Sequence, residues 1–213
     1  AVNEGFLETA VLRENVVKLA RLLGYTPKSA RSATTTVDIS VQTVFPYPLT
    51  VTMAAGLVLN FTGLDNNNFV FSLPNDSTVS VDSLTGIATF KNVVLSEGLF
   101  LTDTFVRNTN ERQRFILTNP NADTSSMIVK VTSGTIQERY LQATDITKID
   151  STSKVYFLEE SELGVPEVLF GDGVIGKNLE DGDVVEVKYT TSSGSSANGL
   201  KVFENIGTFR DNA

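Results

Sequence analysis

The chain has 213 residues, 41% hydrophobic and 20% charged, with no Cys, no His and no Trp. This is a globular composition with enough chain to bury a core without staples. The missing Cys and His exclude disulfide frameworks, thiolate nucleophiles, Cys/His zinc sites and every acid–base scheme that turns on imidazole. Seventeen basic against twenty-five acidic side chains leave a formal charge of −8, so a nucleic-acid surface would require a local basic stripe. The charge is uneven: +2 over residues 1–33, −5 over 34–106 and −5 over the remainder. No apolar run is long enough to span a bilayer and no signal-peptide pattern opens the chain. Neither nucleic acid nor membrane is therefore an expected partner. Ala1 in place of an initiating Met leads to the expectation of an excerpt or a processed product.

The hydrophobic period changes once along the chain. From Asn3 to Gly24 the spacing predicts an amphipathic helix, with Leu12, Val16, Leu19 and Leu23 forming an apolar stripe and Ala20 beside them. Glu14 and Lys18 stand one turn apart on the outer side, acid before base. Asn3 suits the N-cap, and Gly24 followed by Tyr25-Thr26-Pro27 is a stop signal. The small basic excess of this segment reads as a solvated face, and the stripe as either core or a docking surface.

After Pro27 the residues favour strands. Val and Thr number 25 each in the chain, and both suit a pleated surface. Thr36–Val41 and Leu49–Met53 alternate cleanly. Further strands are expected at Val58–Phe61, Phe69–Ser72, Gly86–Phe90, Phe115–Leu117, Met127–Val131, Val155–Leu158, Val168–Phe170, Val184–Tyr189 and near Leu200–Phe203. Asn, Asp, Gly and Pro clusters at 65–68, 74–76, 119–121 and 181–182 separate them. The expected fold is mainly β with one N-terminal helix: an antiparallel β-sandwich or open barrel-like body with tight Gly and Asn turns. Three segments are expected: residues 1–33 as helix and linker, 34–106 as a β-rich subdomain, and 107–213 as a second one. A weak boundary at Arg107–Arg114 marks the change in charge mix.

Most motifs that suggest chemistry fail on context. Gly171-Asp172-Gly173-Val174-Ile175-Gly176 fits G-x-G-x-x-G. A dinucleotide loop needs those glycines to end a strand and open a helix. The strand is there, but Lys177–Asp183 carries a turn signal at Asp181-Gly182 and runs into alternating Val184–Tyr189. Gly171, Asp172, Gly173, Gly176, Asp181 and Gly182 are read as structural turn residues, with Asp172-Gly173 a tight hairpin turn. The acidic groups Asp65–Asn68 and Asp172, Asp181, Asp183 lack the spacing of a calcium loop. Glu159, Glu160 and Glu162 look like a solvated face, and no Ser sits in a G-x-S-x-G elbow. Paired carboxylates for hydrolysis depend on spatial separation, which sequence does not set. No catalytic residue, metal or cofactor is assigned.

Two blocks carry a resemblance. The first runs from Asn15 to Ala30 (Asn15-Val16-Val17-Lys18-Leu19-Ala20-Arg21-Leu22-Leu23-Gly24-Tyr25-Thr26-Pro27-Lys28-Ser29-Ala30), with Ala33 beyond. The second comprises Val155–Leu158, Phe170–Lys177, Leu179, Asp181-Gly182, Val184-Val185, Tyr189, Gly194 and Ala197–Gly199. Together they resemble the baseplate wedge proteins of T-even-like contractile-tailed bacteriophages, within the baseplate J-like family. The middle, Val37 to Thr152, matches only as a run of strands and turns.

The resemblance implies a structural, non-enzymatic subunit of the virion, assembled in the host cytoplasm into the tail baseplate. Its implied partners are itself, in pairs and a ring around the hub, and other wedge subunits, with no small-molecule substrate. Family members are much longer, so the chain is expected to be an internal piece. The apolar stripe Leu12, Val16, Leu19, Leu23 is the expected interface. The alternative is a calcium- or carbohydrate-binding β-sandwich module of a surface adhesin; a two-carboxylate hydrolase is a third reading.

Overall fold

The structure, a computed structural model, describes residues 11, 15, 16, 19, 29–62, 68–161, 164–200 and 202–212. It is mainly β, with antiparallel sheets shaped as a half-barrel and a nearly closed barrel. No helical element is delimited among the described residues apart from two 3-10 turns, Ile146–Lys148 and Gly194–Ala197. The helix expected over Asn3–Gly24 lies largely outside the described residues; of its stripe, Val16 and Leu19 are described and half-buried. Two compact units divide the chain: residues up to Ser29 with Thr102–Tyr189, and Ala30–Leu101 with Thr190–Ala213.

The first unit carries a seven-stranded sheet. Its strands are β7 (Phe100–Val106), β8 (Arg114–Ile116), β9 (Ala122–Ser133), β10 (Ile136–Gln142), β11 (Val155–Glu160), β12 (Pro166–Phe170) and β13 (Val184–Thr191), in the order β7-β13-β9-β10-β11-β12-β8. The chain passes from one unit to the other within β7 and within β13. Pairing is antiparallel for β9/β10, β11/β12 and β12/β8. β10 and β11 are parallel over Leu141↔Val155 and Gln142↔Tyr156. A parallel step needs a crossover of roughly a dozen residues, and residues 143–154 provide it. Inward positions alternate: Val185, Val187 and Tyr189 are fully buried while Val184, Glu186 and Lys188 are half-exposed. Phe115 meets Phe105 at 5.3 Å and Phe170 at 5.7 Å, and Tyr140 meets Phe170 at 5.5 Å between centroids. This chain of offset and edge-on rings fills the core.

The second unit has two sheets. One is β1-β6-β4-β3-β14, from β1 (Thr34–Gln42), β3 (Gly56–Thr62), β4 (Asn68–Leu73), β6 (Ile87–Glu97) and β14 (Glu204–Asn205). The other is β15-β2-β5, from β2 (Thr50–Met53), β5 (Ser77–Ser80) and β15 (Phe209–Asn212). Met53, Val58, Phe71, Phe90 and Leu95 centre its core, and Phe203 and Phe209 pack onto it from the C-terminal segment. Phe203 meets Phe71 at 5.2 Å and Phe209 meets Phe90 at 5.9 Å. These contacts, with the β15/β2 ladder, group residues 190–213 with 30–101 and not with 107–189.

Three further expectations need correction. Among the described residues the strands near the expected Leu200–Phe203 lie further on, at β14 and β15, and Phe203 serves as a core ring. β6 does not stop at Phe90. It continues to Glu97 through a bulge in which Val37 faces Val93 but Ile39 faces Phe90. Asn92 takes φ 53° there, and its N–H donates to Asp38 Oδ1 at 2.7 Å. One extra residue is thus accommodated inside the strand. Third, Asp172-Gly173 does not close a hairpin, because β12 and β13 are not neighbours in the sheet.

Candidate functional site

Of the expected interface stripe, Val16 and Leu19 are described and Leu12 and Leu23 lie outside the described residues. The turn residues are all described. Residues 171–183 form one long connection from β12 to β13, and it is fixed at several points.

Asp172 anchors the tip: its Oδ1 accepts from the N–H of Val174 at 2.9 Å and of Ile175 at 3.0 Å. These two N–H groups hold its carboxyl below the usual carboxylate range. The Gly173 N–H donates to the Gly176 carbonyl at 3.0 Å. The Gly176 N–H donates to the Asp150 carbonyl at 2.9 Å and the Lys177 N–H to the Ser153 carbonyl at 2.8 Å, pinning the loop to the turn before β11. That turn is itself closed by Asp150 Oδ1, which accepts from the Thr152 N–H and from the Thr152 and Ser153 hydroxyls at 2.7–2.9 Å. Gly171 is required by packing, since a Cβ on it would overlap the Gly176 carbonyl; Gly173 and Gly176 are required by φ of 87° and 88°. Every N–H from Gly173 to Lys177 is therefore consumed within the protein. A phosphate cradle needs those donors free, so the G-x-G-x-x-G letters here spell a closed structural loop.

The second turn is similarly closed. Asp181 Oδ1 accepts from the Thr109 N–H at 3.0 Å, and the Gly182 N–H donates to the Arg107 carbonyl at 2.9 Å. Asp183 is buried; it accepts from the Glu180 N–H at 2.9 Å and from the Ser133 hydroxyl. The acidic residues weighed for calcium are thus separately engaged by protein donors, and among the described residues no group of three or more metal-ligating side chains forms. Residues 63–67, which hold most of the other acidic cluster, lie outside the described residues.

Two features escaped the sequence reading. Gln113 staples the long connection to β8: its Nε2 donates to the Gly171 carbonyl at 3.2 Å and to Asn178, and its Oε1 accepts from the Leu179 N–H at 3.2 Å. No pattern announces a lone glutamine with that role. The other is an apolar end on the second unit. The segment 43–49 is bonded to the turn 82–86: the Thr43 N–H and hydroxyl donate to the Gly86 carbonyl at 2.9 and 2.7 Å, and Gln42 Nε2 donates to the Thr85 carbonyl at 3.0 Å. Asp82 Oδ1 accepts from the N–H of Leu84 and Thr85, which lowers its pKa and fixes the turn. Tyr47 lies over Gly86, where a Cβ would collide with its ring, and Phe45 stands edge-on to Tyr47 at 5.7 Å. On this rigid frame Val44 is 86%, Phe45 80%, Leu49 77% and Leu84 90% exposed. The signal was present as Val44-Phe45 and Leu84, but both lie between the expected strands, where no periodicity marks them. Compared with known proteins, the chain matches no protein-family model and no curated protein sequence.

Proposed function

We propose that the chain is a structural subunit of a contractile-tail baseplate wedge, joining neighbouring subunits through fixed surface patches. The observation that carries this reading is the apolar end of the second unit. Four large side chains stand mostly in water on a frame locked by hydrogen bonds, and apolar clusters of that kind mark association surfaces. Rings close only if each protomer presents its contact at a constant angle, and the bonds between residues 42–43 and 85–86 supply that constancy. The resemblance of the Phe170–Lys177 block agrees with it, since this loop holds shape with its own backbone donors. A finer reading, with an N-terminal helix docking through Leu12, Val16, Leu19 and Leu23, belongs to the same proposal.

The test has two parts. Electron microscopy of tails labelled with antibody against this chain should place the label at the baseplate; label elsewhere on the particle removes the proposal. Val44→Asp with Leu84→Asp should leave the purified chain folded, because both side chains are exposed, yet abolish incorporation into wedges. Normal incorporation of that double variant would mean the apolar end is not the contact.

A further inference from the structure

The ends of β7 and β8 and the segment between them line an open pocket of about 330 Å³, bordered by Phe105, Arg107, Glu111, Arg112, Arg114 and Phe115 among others. Its three arginines are not equivalent. Arg114 is neutralised by Glu167, whose carboxylate it grips at 2.6–3.1 Å. Arg112 is exposed on the rim. Arg107 is only 8% exposed, yet no carboxylate pairs with it among the described residues. Its Nη1 donates to the backbone carbonyls of Glu111, at 2.7 Å, and Asn108. Its Nε is buried with no acceptor. Buried arginines are nearly always paired, because an uncompensated buried charge is costly. The cavity also contains one acid, Glu111, whose Oε1 accepts from Asn108 Nδ2 at 3.4 Å. With Arg114 already paired, the pocket holds two cations without a carboxylate partner among the described residues, against one carboxylate.

We propose that this cavity is an oxyanion site, and that its ligand presents a carboxylate to Arg107 and Arg112. The exposed Arg112 offers paired donors in a planar fork that matches a carboxylate, Arg107 adds a fixed positive charge beside it, and Phe105 and Phe115 provide apolar walls for the carbon skeleton behind it. The volume suits a small di-acid or one acidic side chain. The site does not depend on the assembly reading above.

The experiment is calorimetric titration of the full chain at constant ionic strength with three probes: succinate, a capped Glu-containing tripeptide and inorganic phosphate. Saturable one-to-one binding of succinate or of the tripeptide is expected, and the tighter of the two tells whether the carboxylate is free or belongs to a protein partner. Arg107→Gln should abolish binding. Because that variant also alters a buried position, Arg112→Gln, on the exposed rim, provides a second reading and should weaken binding about tenfold. The proposal is overturned if neither carboxylate binds saturably, if phosphate binds more tightly than both, or if Arg112→Gln binds as tightly as the parent chain.

Discussion

The pair Arg114–Glu167 offers the sharpest quantitative test of how the first unit is held. In the β12/β8 ladder, Glu167 faces Ile116 and Leu169 faces Arg114. Arg114 therefore reaches Glu167 diagonally across one face, within range of a long side chain. Its Nη2 donates to both carboxylate oxygens at 2.6 and 2.7 Å and its Nε to Oε2 at 3.1 Å. Glu167 is fully buried, whereas the Arg114 side chain is 40% exposed. Arg114→Leu strands a carboxylate that water does not reach, and removing one partner of a buried pair costs about 3–5 kcal/mol. Partial exposure of the cation screens the pair and brings the expected loss down to roughly 2–3 kcal/mol. Glu167→Leu should cost less, about 1–2 kcal/mol, because Arg114 can turn to solvent. A double-mutant cycle by urea denaturation at pH 7 measures the coupling. Double Leu replacement should cost clearly less than the sum of the singles. Additivity within about 0.5 kcal/mol, or a larger loss from Glu167→Leu than from Arg114→Leu, would refute the reasoning.

Further tests follow from single positions. Gly98 has φ 98° and a Cβ there would overlap the Thr191 carbonyl, so Gly98→Ala should cost the second unit well over the roughly 1 kcal/mol of a positive-φ penalty alone, read by denaturation. Gly171→Ala should be worse than Gly173→Ala, because the first collides with backbone while the second has only Asn178 Cβ at 3.7 Å and suffers through its φ; equal losses would mean the loop simply yields. Burial, then the negative charges of Glu138 and Asp183, push the Tyr140 phenol up to about 12. Between pH ~10 and ~12 the unfolded chain releases a proton that the native state keeps, so stability must fall as pH rises through that window. Tyr140→Phe should fall less steeply over the same range, in denaturation series at pH 9, 10 and 11.

Much of the fold was legible because alternation writes itself into sequence. Thr36–Val41 and Val184–Tyr189 alternate cleanly, and both lie within strands whose inward residues pack the core. What was not legible is what depends on partners distant in sequence. β5, β7, β10, β14 and β15 were not foreseen; short or charged strands such as Ser77–Ser80 and Ile136–Gln142 acquire their state from the neighbouring ladder. The grouping of residues 190–213 with 30–101 rests on Phe203 and Phe209 finding Phe71 and Phe90, and nothing local encodes that. The turn residues fall in one connection whose course was misjudged: a Gly-Asp-Gly triplet states that the chain bends, not which strand it meets next.

The loop at 171–177 shows why a motif must be read through its donors. The same glycine spacing that elsewhere opens backbone N–H groups toward a diphosphate here turns them inward, onto Asp172, Gly176, Asp150 and Ser153. The difference rests on Asp172, whose carboxylate takes the place an anion would occupy and satisfies two donors itself. A side chain performing the ligand's role gives a loop whose donors are satisfied whether or not anything binds. The opposite case lies at Arg107, a buried cation with no carboxylate partner among the described residues. Within one unit, anionic partners are thus built in at one position and absent at another, and it is the absence, beside a cavity, that points outward from the chain.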